Sequence, residues 1–369
     1  MTIHCFLSPS RLVAILTPRI LLFVGISALS AILLSALRRA FTTKAMSAAY
    51  DSIITDIPTL QNNWRAALDT LPSTPDNIPS FFFGHGSPML VSPPSFDRSS
   101  RFGSEVVQWG GPQGALATFL RDFGPAILVK YRPKAIVVFS AHWETADTRM
   151  VTDYGDENPL LYDYYNFPPE MYEIAFKSRG DSAVAQRVVD LFTEAGLPAR
   201  LTPKLEPRGK DGRGFMGPGL DHGVFVPFSV MFGESASIPI IQASIDSNLS
   251  PEANIAVGRA VAQLRKENVL VLSGGLTMHN LRDFTCMAPF TARDVHKDFH
   301  LAISAAAREE DGAERTRKLK ALTAHPGFHA AHPREEHFVP IYVALGAGGD
   351  GDTKLIADIF GAHTIAFGL

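Results

Sequence analysis

Histidine is the residue type that stands out in this 369-residue chain: there are twelve, against three tryptophans. Three of them stand just beyond apolar runs. SFFF (80–83) leads into Gly84-His85-Gly86, AIVVFS (135–140) into Ala141-His142-Trp143, and VLVLS (269–273) into Gly274-Gly275-Leu276-Thr277-Met278-His279-Asn280. Neutral imidazole ligates iron, zinc or copper at about 2.0–2.1 Å, and three protein ligands leave positions open for water and substrate. Any one such histidine is more often a turn residue or a capped core imidazole. Three at the ends of three strands, two of them with glycine close by, favour a metal. The glycines around His85 are expected to leave room for metal and substrate.

A fourth histidine, His222 in LDHGVFVP (220–227), precedes glycine and a further apolar run. Its candidate roles are ligand, general acid/base and turn residue. An unperturbed imidazole near pKa 6.5 suits proton transfer at neutral pH, and adjacent Asp221 is the candidate to orient it. In HPGFHAAHPREEHFVP (325–340), Pro326 and Gly327 argue against a regular helix, which makes His325 and His329 surface residues. His337 lies beside Phe338 and either faces a pocket or packs. His296, His300 and His363 read as helix-face or surface residues. No G-x-G-x-x-G follows a strand and there is no G-x-x-x-x-G-K-[ST], so dinucleotide and P-loop sites are not indicated. Ser87 in GHGSP is not in a G-x-S-x-G elbow, which leaves a serine hydrolase using Ser87 and His222 as a weaker alternative.

The elements that must position these residues alternate. Expected strands are Ser80–Phe83, Ala135–Ser140, Ile238–Ser244 and Val269–Ser273. Expected helices are Gln113–Phe123, Asp181–Ala195, Pro251–Glu267, Arg293–Ala307, Glu310–Ala324 and Pro333–Leu345. This alternation predicts an α/β fold, a single large domain with a mixed central sheet flanked by helices. In such a sheet ligands bind beyond the carboxyl ends of the strands, which is where the metal site is expected. Residues 202–220, rich in Gly, Pro and charge, read as a surface loop.

Composition removes other classes. With 46% hydrophobic and 19% charged residues the chain can bury a large core. A net charge of −3 without a basic, aromatic-interleaved stripe excludes nucleic acid as the expected partner. Two distant cysteines, Cys5 and Cys286, make neither a disulfide framework nor a thiolate zinc site. Residues 1–45 differ from the rest: they hold arginine and lysine but no acid, and residues 20–37 are uncharged. As a helix that stretch would reach about 27 Å, enough for a hydrocarbon core. Three readings fit it: a membrane anchor with the catalytic part cytoplasmic, an organelle-targeting segment, or an upstream extension of a chain starting at Met46. The expected organisation is thus an apolar basic segment over 1–45, a helix and linker over 46–78, and a catalytic domain over 79–369.

The stretches FFFGHGSPML, VVFSAHWET, YDYYNFPPEMYE, LDHGVFVPFSVMF, LSGGLTMHNLRDF and HPREEHFVPIYVALGAGGD occur in this order. Together they resemble the class III extradiol ring-cleavage dioxygenases, in the branch containing 4,5-DOPA dioxygenase, from about Pro79 to Leu369. The resemblance implies a non-haem iron(II) enzyme, with zinc as the alternative ion, that opens a DOPA-like catechol with dioxygen. It implies His85, His142 and His279 as metal ligands, His222 as the acid/base and His337 near the substrate. An all-histidine set lacks the carboxylate usual in such sites, which leaves iron and zinc both open. The stretch QWGGPQGALATFLRDFG (108–124), between His85 and His142, reads as an insertion able to reshape the pocket. Two other functions share the expected features: a Memo-like binding or signalling protein on the same fold, and a zinc-dependent hydrolase.

Overall fold

The computed structural model describes residues 49–73, 77–99, 102–208 and 217–369. The chain separates into two compact units, Met1–Ser52 and Ile53–Leu369. The apolar segment at 20–37 lies outside the described residues, among which no helix is long and apolar enough to cross a membrane. All that follows concerns the second unit.

Among the described residues ten strands form in chain order: β1 (Ser80–Gly84), β2 (Ala135–Thr145), β3 (Arg149–Asp153), β4 (Leu160–Leu161), β5 (Ala199–Pro203), β6 (Leu220–Asp221), β7 (Ile240–Asp246), β8 (Val269–Gly275), β9 (Thr353–Ala357) and β10 (Thr364–Phe367). Eight make one sheet in the order β5-β3-β7-β2-β8-β1-β10-β9, and β4 pairs with β6. The four central strands β7, β2, β8 and β1 run parallel, while β10 and β9 add antiparallel at one edge and β3 opposes β7 near the other. The fold is thus the expected α/β domain with a mixed sheet.

Both faces of the sheet are covered, which is why its central strands read as unbroken apolar runs. In β2, Ile136 and Val138 enter one core while Ala135, Val137 and Phe139 enter the other, and β8 divides its leucines and valines in the same way. The helices Ala115–Tyr131 and His222–Phe232 cover the first face; Ser182–Glu194 and Pro251–Val261 contribute valines to the second. Ile57–Asp69, expected as part of a helix and linker outside the catalytic domain, buries Leu60, Trp64 and Leu68 within the same unit. Trp64 Nε1 donates to Asp122 Oδ2 at 2.9 Å.

Several boundaries differ from expectation for local reasons. The Ala115 helix runs through Gly124-Pro125 to Tyr131, because Ile127 and Tyr131 continue its buried stripe. The expected Pro333–Leu345 helix splits into a 3-10 turn, Glu335–His337, and a helix Pro340–Gly348. Pro340 lacks the N–H an unbroken helix would need and instead opens a new first turn. Pro326–Ala331 is helical after all: Pro326 occupies the first turn and His325 Nδ1 accepts from the Gly327 N–H at 3.0 Å. Of His296, His300 and His363, read as helix-face or surface residues, the first two lie on the helix Asp294–Ala307 and all three are buried.

Candidate metal centre and cavity

His85 follows β1 directly, and its N–H donates to the Gly275 carbonyl at 2.9 Å. The glycines beside it do not leave room for a metal, contrary to expectation. A Cβ on Gly84 would lie 2.8 Å from Ala362 Cβ, and one on Gly86 would lie 2.4 Å from Leu90 Cδ1. Gly86 also has φ +72°, where a side chain is strained. The first glycine admits a neighbouring chain and the second makes the turn.

His142 lies inside β2, which extends five residues beyond the expected Ser140 to Thr145. Pairing with β7 shifts register between Phe139 and Glu144, the irregularity expected where a strand re-aims a side chain at a site. His337 ends the 3-10 turn before Pro340 and is held by β8: the Leu276 N–H donates to His337 O at 2.8 Å. A Cβ on Gly275 would lie 2.3 Å from that oxygen. The third glycine-rich strand end therefore carries the His337 backbone. His279 lies four residues further on, its ring stacked on His337 at 3.4 Å between centroids and 15° between planes.

Ring nitrogens of His85, His142 and His337 lie within 4.8 Å of one another, and His142 Nε2 is 3.0 Å from His337 Nε2. Two imidazoles bound to one ion at about 2.05 Å with angles of 90–109° have nitrogens about 2.9–3.3 Å apart. The carboxylates behind the rings strengthen this fit. His142 Nδ1 is 3.1 Å from Asp163 Oδ2, and His337 Nδ1 is 3.0 Å from Glu336 Oε1. A carboxylate at Nδ1 holds the proton there and turns the Nε2 lone pair outward, the usual support for a metal-ligating histidine. Two lone pairs facing each other at 3.0 Å repel unless a cation lies between them, so the donor set fits a metal ion. Two further groupings share members with this one: His142, Asp163 and His222, and His279, Glu336 and His337.

His222 opens the helix His222–Phe232, and its orienting partner is Asp163 rather than the expected Asp221. Asp163 Oδ1 accepts from His222 Nδ1 at 2.6 Å and from the His222 backbone N–H at 2.9 Å. Burial pushes the Asp163 carboxyl up, but the facing His222 and His142 rings outweigh it and hold it well below the usual carboxylate range. Asp221 turns the other way. It accepts from Ser140 Oγ at 2.7 Å and from buried Arg208 at 2.9 Å, is also bound by Gln242, and backs His142 at 3.7 Å. Gly223 permits this crowding, since a Cβ there would lie 2.7 Å from Ser140 Oγ and 3.4 Å from His142 Nδ1.

The sequence reading did not single out Asp163, Glu336, Arg208 or Gln242. Asp163 did lie in a noted motif, YDYYNFPPEMYE, and Glu336 directly precedes His337. His222, His279 and His337 line a cavity of about 480 Å³ whose other walls are mostly apolar and aromatic. Val106, Trp109 and Leu116, from the helices between His85 and His142, form part of that wall, so the stretch expected to shape the pocket reaches it. Burial and the neighbouring His337 hold the His279 pKa well below its usual value, so its ring is neutral. His300, Asp358 and His363 form a separate group. Both His363 ring nitrogens there meet hydroxyls, Thr277 Oγ1 at 2.8 Å and Ser304 Oγ at 3.0 Å, which braces the turn leading to His279.

Comparison with known proteins identifies the family and the fold. Residues 82–366 match the family described as the catalytic LigB subunit of aromatic ring-opening dioxygenase. The chain is 40% identical over 308 residues to a 4,5-DOPA dioxygenase extradiol-like protein of Schizosaccharomyces pombe, covering 83% of this chain and 97% of that one. It is 30% identical over 299 residues to a 4,5-DOPA dioxygenase extradiol of Beta vulgaris, covering 79% and 96%. Among solved structures, an uncharacterized protein of Escherichia coli K12 superposes with a TM-score of 0.54 at 24% identity, over 79% of this chain and all of that one, a likeness of fold. This chain belongs to the LigB family of aromatic ring-opening dioxygenases.

Proposed function

We propose that the protein is a metal-dependent extradiol dioxygenase that opens a catechol ring with dioxygen. The observation carrying this reading is the convergence of His85, His142 and His337 beside an aromatic cavity that also presents His222 and His279. The proposed ligands are His85, His142 and His337. His337 takes the place expected for His279 because its Nε2 meets that of His142, with Glu336 fixing its tautomer. A bound iron(II) would supply Lewis acidity toward the diol and redox reactivity toward dioxygen, whereas zinc has no redox chemistry to offer.

The protein's own part is to place and move protons. With Nδ1 held by ionised Asp163, His222 has Nε2 as the nitrogen that takes a proton from a catechol hydroxyl and later returns it. His279, neutral and stacked on His337, offers the cavity a further hydrogen-bonding ring. The apolar walls exclude water, which strengthens both interactions.

The test is anaerobic loading with iron(II) or zinc, then oxygen uptake with a set of catechols. Uptake with a yellow ring-opened product in the iron form alone supports the reading. No uptake with any catechol favours a binding role, and hydrolysis by the zinc form without oxygen favours a hydrolase. Metal analysis of purified variants tests the ligand set: His337→Ala loses the ion and His279→Ala retains it, and the reverse outcome would exchange their roles.

A further inference from the structure

The chemical character of the cavity goes further than its histidines. We propose that it selects catechols bearing an uncharged apolar substituent, aryl or alkyl, over catechols bearing a carboxylate or an amino-acid side chain. This inference rests on the ring-cleavage reading for its diol and on the cavity wall for its substituent.

Histidines and aromatic residues line the same space, so a diol at the histidines places the rest of the molecule among Phe102, Val106, Trp109, Met278, Phe284 and Phe360. Among the described residues no lysine or arginine lines the cavity, and its one acid, Asp163, is held by His142 and His222. Of the described guanidiniums near the site by chain position, Arg208 is committed to Asp221 at 2.9 Å and Arg334 to Glu144 at 2.6 Å, while Arg282, beside Leu281, is exposed. Three polar groups of the wall are spent internally as well. The Tyr164 hydroxyl donates to Met171 O, Trp109 Nε1 donates to Phe360 O at 3.2 Å, and Ser87 Oγ accepts from the Met89 N–H at 3.2 Å. The rings pack edge to face, Phe102 on Phe284 at 4.6 Å, as in a surface built for aromatic contact. Leu281, 53% exposed, and Tyr165, 59% exposed, carry the lining out to the mouth. A carboxylate entering this space would lose its hydration with no lysine or arginine among the described lining residues to replace it, whereas a phenyl or branched alkyl group would gain by leaving water.

Two measurements decide this. The first compares kcat/KM of the iron-loaded protein for 4-phenylcatechol, 4-tert-butylcatechol, L-DOPA and 3,4-dihydroxybenzoate. The second compares binding of the same four compounds to the redox-inert zinc-loaded protein by equilibrium dialysis. The apolar pair is expected to lead in both by at least about tenfold, the lower end of what burying one aromatic side-chain-sized group contributes. Equal or better use of L-DOPA or dihydroxybenzoate overturns the inference and leaves the dioxygenase reading intact. If no catechol is cleaved, that reading fails, and the binding order still decides the character of the cavity. Leu281→Arg at the rim is expected to shift the preference about tenfold toward dihydroxybenzoate, as a new charge-assisted hydrogen bond does. An unchanged preference would remove the rim from the substituent site.

Discussion

Replacing Asp163 by asparagine changes one atom of the site and tests its logic directly. Asp163 Oδ1 accepts two N–H groups of His222, at 2.6 and 2.9 Å, while Oδ2 lies 3.1 Å from His142 Nδ1. An asparagine keeps one acceptor, and the two donors of His222 claim it. The amide NH2 then faces His142 Nδ1, which must become the acceptor, and the imidazole proton moves to Nε2. That atom is the one 3.0 Å from His337 Nε2, and once protonated it cannot ligate. Loss of such supporting groups typically lowers metal affinity about 10–100-fold, or about 1.4–2.7 kcal/mol. Because the His222 N–H groups keep their acceptor, the variant should remain folded by circular dichroism. The assay is competition for iron(II) against a chromophoric chelator under anaerobic conditions. A folded Asp163→Asn protein within twofold of wild-type affinity would refute the proposed role of the carboxylate.

Three further outcomes follow from the same geometry. His222→Gln is expected to bind metal and catechol normally while turnover falls about 10²–10⁴-fold; unchanged oxygen uptake would remove His222 from proton transfer. Gly223→Ala, whose methyl would lie 2.7 Å from Ser140 Oγ, is expected to cost about 1–3 kcal/mol in urea denaturation, and a cost near zero contradicts the close packing. Stability should also fall as pH drops from about 6.5 toward 4. Burial and His363 push His300 down to about 3, and burial pushes His332 down to about 4. Below the unfolded value near 6.5 the unfolded chain therefore binds protons that the folded chain refuses. At pH 5 this amounts to roughly 2 kcal/mol per group, and a urea midpoint that stays flat between pH 7.5 and 5 would contradict it.

The central strands were legible because burial on both faces makes them continuous apolar runs, and the residues beyond β1 and within β2 could be read off their ends. The outer strands left no such mark. In β5, ARLTP, burial alternates irregularly and only Thr202 is buried. β3, β9 and β10 are at most five residues long. His337 reads as a helix residue because apolar periodicity continues on both sides of it; only the stop at Pro340 puts it in a tight turn against β8. Asp163 was invisible as a partner because a carboxylate's burial is decided by segments distant in sequence. Asp163 meets His222 across 59 residues and Ser140 meets Asp221 across 81. The glycines at 84 and 86 carried a real signal with a different cause, chain packing and a positive φ, which composition alone cannot separate from ligand access.

Proteins commonly trade stability for function, since groups arranged for chemistry are seldom those that best hold the fold. Asp163 departs from that pattern. The oxygen that orients the His222 ring also takes the backbone N–H at the first residue of the helix, one of the donors a helix start leaves unpaired. A substitution that removes this acceptor, such as alanine, injures folding and chemistry together, so drift could not relax the site while keeping the scaffold intact. A descendant that gave up catalysis would still have reason to keep this carboxylate. Its retention in a relative is therefore weaker testimony to activity than retention of His85.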